Sequence, residues 1–307
     1  MSSWLGLDPS TYVPHRVHSP SFGYPETNCW TDVAIELLHA HGDEPLAALG
    51  CTISLDHEGD QFTFFKPRPE ELEALFGLDV HELQPYRPVA EHLGVAHALG
   101  RTLIVEVDGW WLPDTAGTSY RAENVKTAIA VEALEPDRLV YFHNAGLHEL
   151  SGEDRAQVLE PHGLPGYVET VRFLPGAPAS VSEVRAVARE LLRDNLLRRP
   201  EVSPFIAFGE QLSRELDTVL ALEPERVHQF AFATTRMAGA AAALAAEHIR
   251  WVLGDGPAAE AFDRVAAGTR TVTMRLMRRK PFDPTELIGT LNADWTQAQE
   301  RLDDLLA

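Results

Sequence analysis

The sequence predicts an α+β domain followed by an all-α helical bundle. Short runs rich in β-branched and aromatic residues, bounded by Gly, Pro or Asp, crowd the first half of the chain. After Leu174-Pro175-Gly176-Ala177-Pro178 the pattern changes to long helical periods. The chain is therefore divided into residues 1–175 and 176–307, and its run of late strands predicts a largely antiparallel sheet in the first part.

In chain order, Thr27 or Asn28 serves as an N-cap, and Val33, Ala34, Leu37 and Leu38 recur at helical spacing. A helix is expected from Cys29 to His41, stopped by Gly42. Strands are expected over residues 61–66, 102–107, 127–132, 138–142 and 167–173, and helices over 69–76 and 89–99. In the second part helices are expected over 182–198, 204–221, 224–253, 258–267 and 284–306. The alanine-rich stretch around Ala240 suits close helix packing, and the sequence shows no internal repeat.

With 307 residues, 45% hydrophobic and 23% charged, the composition is that of an ordinary globular protein. No apolar run reaches the ~18 residues of a membrane span. Met1-Ser2-Ser3-Trp4 lacks the basic start and apolar run of a signal peptide, so a cytoplasmic protein is expected, with Cys29 and Cys51 as free thiols. The 46 acidic and 26 basic residues give a formal charge of −20, which argues against general binding to nucleic acid or anionic membranes. Two basic clusters run against that charge: Arg275, Arg278, Arg279 and Lys280, and Arg193, Arg198 and Arg199. They read either as solvated helix faces or as docking sites for an acidic partner.

The chemistry centres on Cys29. At a helix N-terminus, unpaired N–H groups and the positive end of the macrodipole favour a thiolate and offer donors to an oxyanion. Papain-like enzymes arm their nucleophile in this way; the bland reading is a small buried apolar residue. A later strand pair ends in Tyr141-Phe142-His143-Asn144-Ala145-Gly146. Asn144 is the natural third catalytic member and His143 the nearest imidazole. Adjacent strand residues face opposite sides, however, so both reach the thiol only if the strand ends there. His143 otherwise reads as a packed structural histidine. Asp108 and Trp110, at the end of an expected strand, are candidates for holding an amino group and an acyl chain, with turn-capping by Asp108 and Asp114 as the alternative. Asn124 and Lys126 are further substrate-binding candidates. The thirteen histidines show no metal-ligand spacing, and no phosphate loop or G-x-S-x-G elbow occurs.

Several of these segments together carry a family likeness: Glu26-Thr27-Asn28-Cys29, Glu58-Gly59-Asp60-Gln61-Phe62-Thr63-Phe64-Phe65-Lys66, Glu106-Val107-Asp108, Leu112-Pro113-Asp114-Thr115, Val125-Lys126-Thr127 and Tyr141-Phe142-His143-Asn144-Ala145-Gly146. They resemble the bacterial DUF1839 family over most of residues 4 to 175. That family is similar in turn to the butirosin biosynthesis protein H group. The group's papain-like N-terminal domain moves an aminoacyl group from the phosphopantetheine thiol of a carrier protein to an amine. The resemblance implies acyl transfer through a cysteine thioester, a papain-like first domain and a helical second one. It implies no resident cofactor, since phosphopantetheine arrives on the carrier. Where relatives often read His-Val-Lys-Thr, this chain has Asn124-Val125-Lys126-Thr127. If that histidine is their base, this chain has lost it, uses His143, or lets the incoming amine act as its own base.

The expected function is thus a cysteine-dependent acyltransferase acting on a carrier-protein thioester and a small-molecule amine, with Cys29, His143 and Asn144 catalytic and Asp108 orienting substrate. The alternatives are a cysteine amidase or thioesterase, and a noncatalytic carrier-binding module.

Overall fold

Asn28 and Gly42 bound the first helix as their chemistry dictates. In the computed structural model, which describes residues 2–160 and 166–307, helix α1 spans Cys29–His41, after the two-residue strand β1 (Ser2–Ser3). The Asn28 side chain accepts from the Thr31 N–H, and Gly42 closes the helix at φ 98°, a conformation that costs glycine little.

The chain forms two compact units, residues 1–45 with 68–179 and residues 46–67 with 180–307. The sequence division at 175/176 kept 46–67 in the first part; in the structure this segment is built into the helical unit.

The first unit continues through α2 (Pro69–Phe76), β2 (Leu78–Leu83), α3 (Val89–Ala98), β3 (Thr102–Asp108), β4 (Lys126–Leu134), β5 (Arg138–His143), β6 (Gly146–Ser151), α4 (Gly152–Gln157) and β7 (Val168–Phe173). Six strands follow the order β2-β7-β3-β4-β5-β6, every neighbouring pair antiparallel, and β1 adds to the end of β4. Strands β2 and β6 escaped sequence detection because they are the sheet's edges, where charged residues interrupt the apolar run. In β2, Asp79 sits opposite Arg172 of β7 and bonds its guanidinium. One sheet face packs Leu103, Val105, Ile129, Val131 and Tyr141 against Val89 and Leu93 of α3. The alternate residues face α1: Trp30 Nε1 donates to Glu169 at 2.6 Å, and Tyr12 meets Phe142 edge-on. A bulge between Val131 and Ala133 accompanies the buried Glu132, whose carboxylate accepts from the N–H groups of Leu5, Gly6 and Leu7.

The helical unit holds α5 (Val181–Leu197), α6 (Pro204–Ala221), α7 (Pro224–Ala231), α8 (Met237–Leu253), α9 (Gly256–Met277) and α10 (Thr285–Leu306). The helix expected over 224–253 runs unbroken through a π-turn at Phe232–Arg236, where Thr235 bonds back to the Ala231 carbonyl and across to Thr273. The turn leaves the Ala233 carbonyl for the Phe62 N–H, 3.2 Å away. The strand expected over 61–66 is absent. Phe62 and Phe65 are buried while Phe64 is 51% exposed, a three-residue spacing, and only an isolated bridge joins His57 to Phe62. Among the described residues, no helix is long and apolar enough to cross a membrane.

Candidate active site

Strand β5 ends at His143, and its pairing with β4 stops at Ala130 opposite Phe142. The edge of β4 beyond that pair is therefore open, and the first residue of α1 lies against it. The Ala128 N–H and the Thr127 hydroxyl both act on the Cys29 sulfur as donors that favour its charged form. Thr127 Oγ1 in turn lies 2.7 Å from His143 Nε2, and His143 Nδ1 lies 2.5 Å from Asp114 Oδ2. The other Asp114 oxygen accepts from the Tyr141 hydroxyl. A hydroxyl, an imidazole and a carboxylate thus form one chain beside the half-buried thiol; His143 is 1% and Thr127 7% exposed. With a carboxylate at Nδ1, the neutral imidazole carries its proton there, leaving Nε2 to accept from Thr127.

Burial pushes the Cys29 thiol up, and the charge of Asp32 adds to that. The Ala128 N–H, the Thr127 hydroxyl and the Lys126 ammonium oppose it without overcoming it. Burial therefore outweighs the help that helix position was expected to give the thiolate. Burial also acts to raise Asp114, but the hydrogen bond and charge of His143, helped by His148 and Tyr141, hold it below the usual carboxylate range. His148 is lowered by burial and by His143; its Nε2 donates to the His143 carbonyl at 3.2 Å.

The approach of the chain into Cys29 is fixed by two acids one turn apart on α1. Asp32 accepts from the Thr27 N–H at 2.8 Å and from its hydroxyl at 2.5 Å. Glu36 accepts from the His15 N–H at 3.0 Å, and also bonds Tyr12 and His18. Burial acts to lower His18, but Asp32 and Glu36 together raise it to about 9. A raised histidine contributes stability that is full below about 6.5 and is lost as pH rises through about 9, on the order of 3 kcal/mol by linkage. Urea denaturation should therefore show stability declining from pH 6.5 to 9, and His18→Asn should remove that decline. An unchanged slope in the variant would place the ionisation elsewhere. Neither acid on this helix nor the pairing of His18 was read from the sequence, where the histidines outside the Cys29 site were weighed only for metal-ligand spacing. Among the described residues, no group of three or more His, Cys, Asp or Glu side chains is arranged to hold a metal ion.

The remaining site residues fall in different places. Asn144 occupies the turn between β5 and β6 at φ 44°, a left-handed conformation that asparagine tolerates, and Asp114 is the partner of His143 in its stead. Asp108 caps a turn: its carboxylate accepts from the Trp110 N–H at 3.0 Å, the Val125 N–H at 3.2 Å and the Asn124 amide. Gly109 packs tightly beside it: a Cβ there would lie 2.7 Å from Ser119 Oγ and 3.3 Å from the Val125 carbonyl oxygen. Lys126 pairs with Glu106 at 2.7 Å. Asp108, Asn124, Lys126 and Glu106 line a cleft of about 730 Å³ with Tyr86 and Tyr167; neither Trp110 nor Cys29 is among its lining residues.

Cys51 is buried in the helical unit, and neither cysteine is in a disulfide. Helix α9 runs ten residues past its expected end at 267, so Arg275 lies in its last turn, with Arg278, Arg279 and Lys280 following. Arg279 is not free, since it donates to the Leu222 carbonyl at 2.6 Å. The second cluster is mostly structural: Arg199 bonds both oxygens of Asp303, and Arg193 reaches the Leu306 carbonyl.

Residues 13–173 match the DUF1839 N-terminal domain and residues 181–304 the DUF1839 C-terminal domain. These matches cover most of the chain, and the protein belongs to the DUF1839 family. No curated protein matches the chain significantly.

Proposed function

We propose that this DUF1839 protein is a cysteine-dependent acyltransferase that takes an aminoacyl or related group from a carrier-protein phosphopantetheine thioester and passes it to an amine. The observation that carries the reading is the chain Cys29, Thr127, His143, Asp114 at the start of α1. A protonated thiol with an imidazole behind it, and a carboxylate fixing that imidazole, is the arrangement nucleophilic acyl transfer requires. A nucleophile on an early helix and a histidine on a later antiparallel strand also suit a papain-like first domain.

In this reading Cys29 loses its proton towards His143 and its sulfur attacks the thioester carbonyl. The backbone N–H of Cys29 or Trp30, at the positive end of α1, stabilises the oxyanion, which collapses with loss of the pantetheine thiol. The amine then attacks the acyl-Cys29 thioester and regenerates the thiol. A thioester is activated enough to need no nucleotide. The cleft beside β3 and β4, lined by Glu106, Asp108 and Lys126, suits a polar acceptor, and the Lys126 charge also favours the thiolate of Cys29.

Intact-mass measurement after mixing the protein with aminoacylated carrier proteins tests the proposal. The expected result is an added acyl mass on Cys29 that an amine removes as conjugate. Release only to water would make the protein a thioesterase, and carrier binding with no adduct would make it a noncatalytic module.

An acidic carrier needs a positive surface on a chain at −20. Arg275, Arg278 and Lys280 are exposed beside Met274 and Met277, which are 54% and 43% exposed. Reversing Arg275 and Arg278 to Glu should lower carrier-dependent kcat/KM ~10-fold or more, most at low salt where repulsion is least screened. Reaction with a free aminoacyl-pantetheine should stay unchanged. Equal loss of both reactions would assign the arginines to the fold, and no loss would place docking elsewhere.

A further inference from the structure

Resting on the reading of Cys29 as nucleophile, we propose that the Thr127 hydroxyl is a proton relay between the Cys29 thiol and His143. His143 Nε2 is already bonded to Thr127 Oγ1 at 2.7 Å, and the same hydroxyl acts on the Cys29 sulfur as a donor to its thiolate form. The imidazole is therefore coupled to the thiol through this oxygen. A hydroxyl suits the position because it donates and accepts at once. Before transfer it accepts from the S–H and donates to Nε2; after transfer it accepts from the imidazolium and donates to the thiolate.

The step balances without any other reactant. The S–H bond breaks and its proton goes to Thr127 Oγ1, while the proton of Oγ1 goes to His143 Nε2. The electron pair left on sulfur is the nucleophile. The imidazolium is held against the Asp114 carboxylate, and its proton returns through the same hydroxyl to the departing pantetheine thiolate. Burial of Thr127 and the restricted χ1 of a β-branched residue limit where the oxygen can go. The fold sets it there because Thr127 lies on β4 just past the last pair with β5, where the neighbouring Ala128 N–H also turns to the sulfur.

The test is the rate of Cys29 alkylation by iodoacetamide between pH 6 and 10, read site by site by mass spectrometry, which needs no natural substrate. Thr127→Val keeps shape and burial and removes only the hydroxyl. It should slow alkylation at pH 7 by ~10²-fold, the scale of general-base assistance, and the deficit should close at high pH where hydroxide deprotonates the thiol. Thr127→Ser should stay within a few-fold of wild type. His143→Ala should show the same deficit as Thr127→Val, and the double variant no more than either alone, as two members of one relay must. Thermal denaturation of each variant confirms the fold.

A Thr127→Val protein that alkylates at the wild-type rate overturns the relay, as does a double variant in which the two deficits multiply. Equal loss in Thr127→Ser overturns it too, since that would mark a packing role. The outcomes separate this inference from the acyltransferase reading. Thr127- and His143-dependent alkylation with no acyl adduct from any thioester would keep the relay and end the transferase. Normal adduct formation in Thr127→Val would do the reverse.

Discussion

Replacing Cys29 by alanine is expected to abolish the acyl adduct and to lower transfer by roughly 10⁵-fold or more, the scale on which covalent catalysts lose rate with their nucleophile. Cys29→Ser should fold normally and fail as well, because a serine hydroxyl is a far weaker nucleophile than a thiolate. His143→Ala should lose ~10²-fold or more. Asp114→Asn should also lose rate. Its amide can offer an N–H to Nδ1, which would favour the tautomer with Nε2 protonated and deny Thr127 its acceptor. Circular dichroism of the four variants separates chemistry from folding. Transfer that survives in Cys29→Ala would remove covalent catalysis. Transfer that survives in His143→Ala alone would leave the thiol in place and give the proton to the incoming amine.

Local signals made α1 legible and long-range ones hid its partners. Thr27 or Asn28 before the helix, the spacing of Val33, Ala34, Leu37 and Leu38, and Gly42 after it are all local signals, so both bounds of the 13-residue helix and the position of Cys29 followed from them. His143 was identified as the end of a strand, but its partner was sought next door at Asn144. The strand does end there; the positive φ of Asn144 makes it a turn residue, while Asp114 arrives from 29 residues upstream. Asp114 stood in the sequence among turn residues, and nothing local distinguishes a capping aspartate from one that orients a histidine. Thr127 was equally silent, because its place depends on the register of β4 against β5. Helix α9 was cut short at 267 since Gly268 and the threonines after it weaken helix propensity. Tertiary packing overrides that: a Cβ on Gly268 would lie 2.6 Å from Leu291, so the glycine admits a neighbouring helix rather than ending its own.

The helical unit expressed as residues 180–307 alone is expected not to fold cooperatively, although it reads as an independent bundle. Segment 46–67 supplies six large side chains to this unit's interior: Leu46, Leu49, Ile53, Leu55, Phe62 and Phe65, none more than 4% exposed. Phe62 packs on Phe205 and Phe208, with ring centroids 5.5 and 5.4 Å apart. At about 1.5–3 kcal/mol for each buried side chain, the segment contributes roughly 9–18 kcal/mol before chain entropy, as much as the whole net stability of an ordinary domain. Its backbone also satisfies buried polar side chains. The Leu46 carbonyl accepts from His248 at 2.7 Å, the Ile53 carbonyl from Gln299 at 2.8 Å and the Asp60 carbonyl from Gln211 at 2.6 Å. Without the segment these donors lose their partners in the same step that exposes the apolar surface. Residues 180–307 should therefore show a broad thermal transition and bind a hydrophobic dye, and a fusion carrying 46–67 on a flexible Gly/Ser linker should restore a sharp transition. A sharp two-state transition in the 180–307 fragment would mean that the α5–α10 bundle is self-sufficient and that 46–67 merely rests on it.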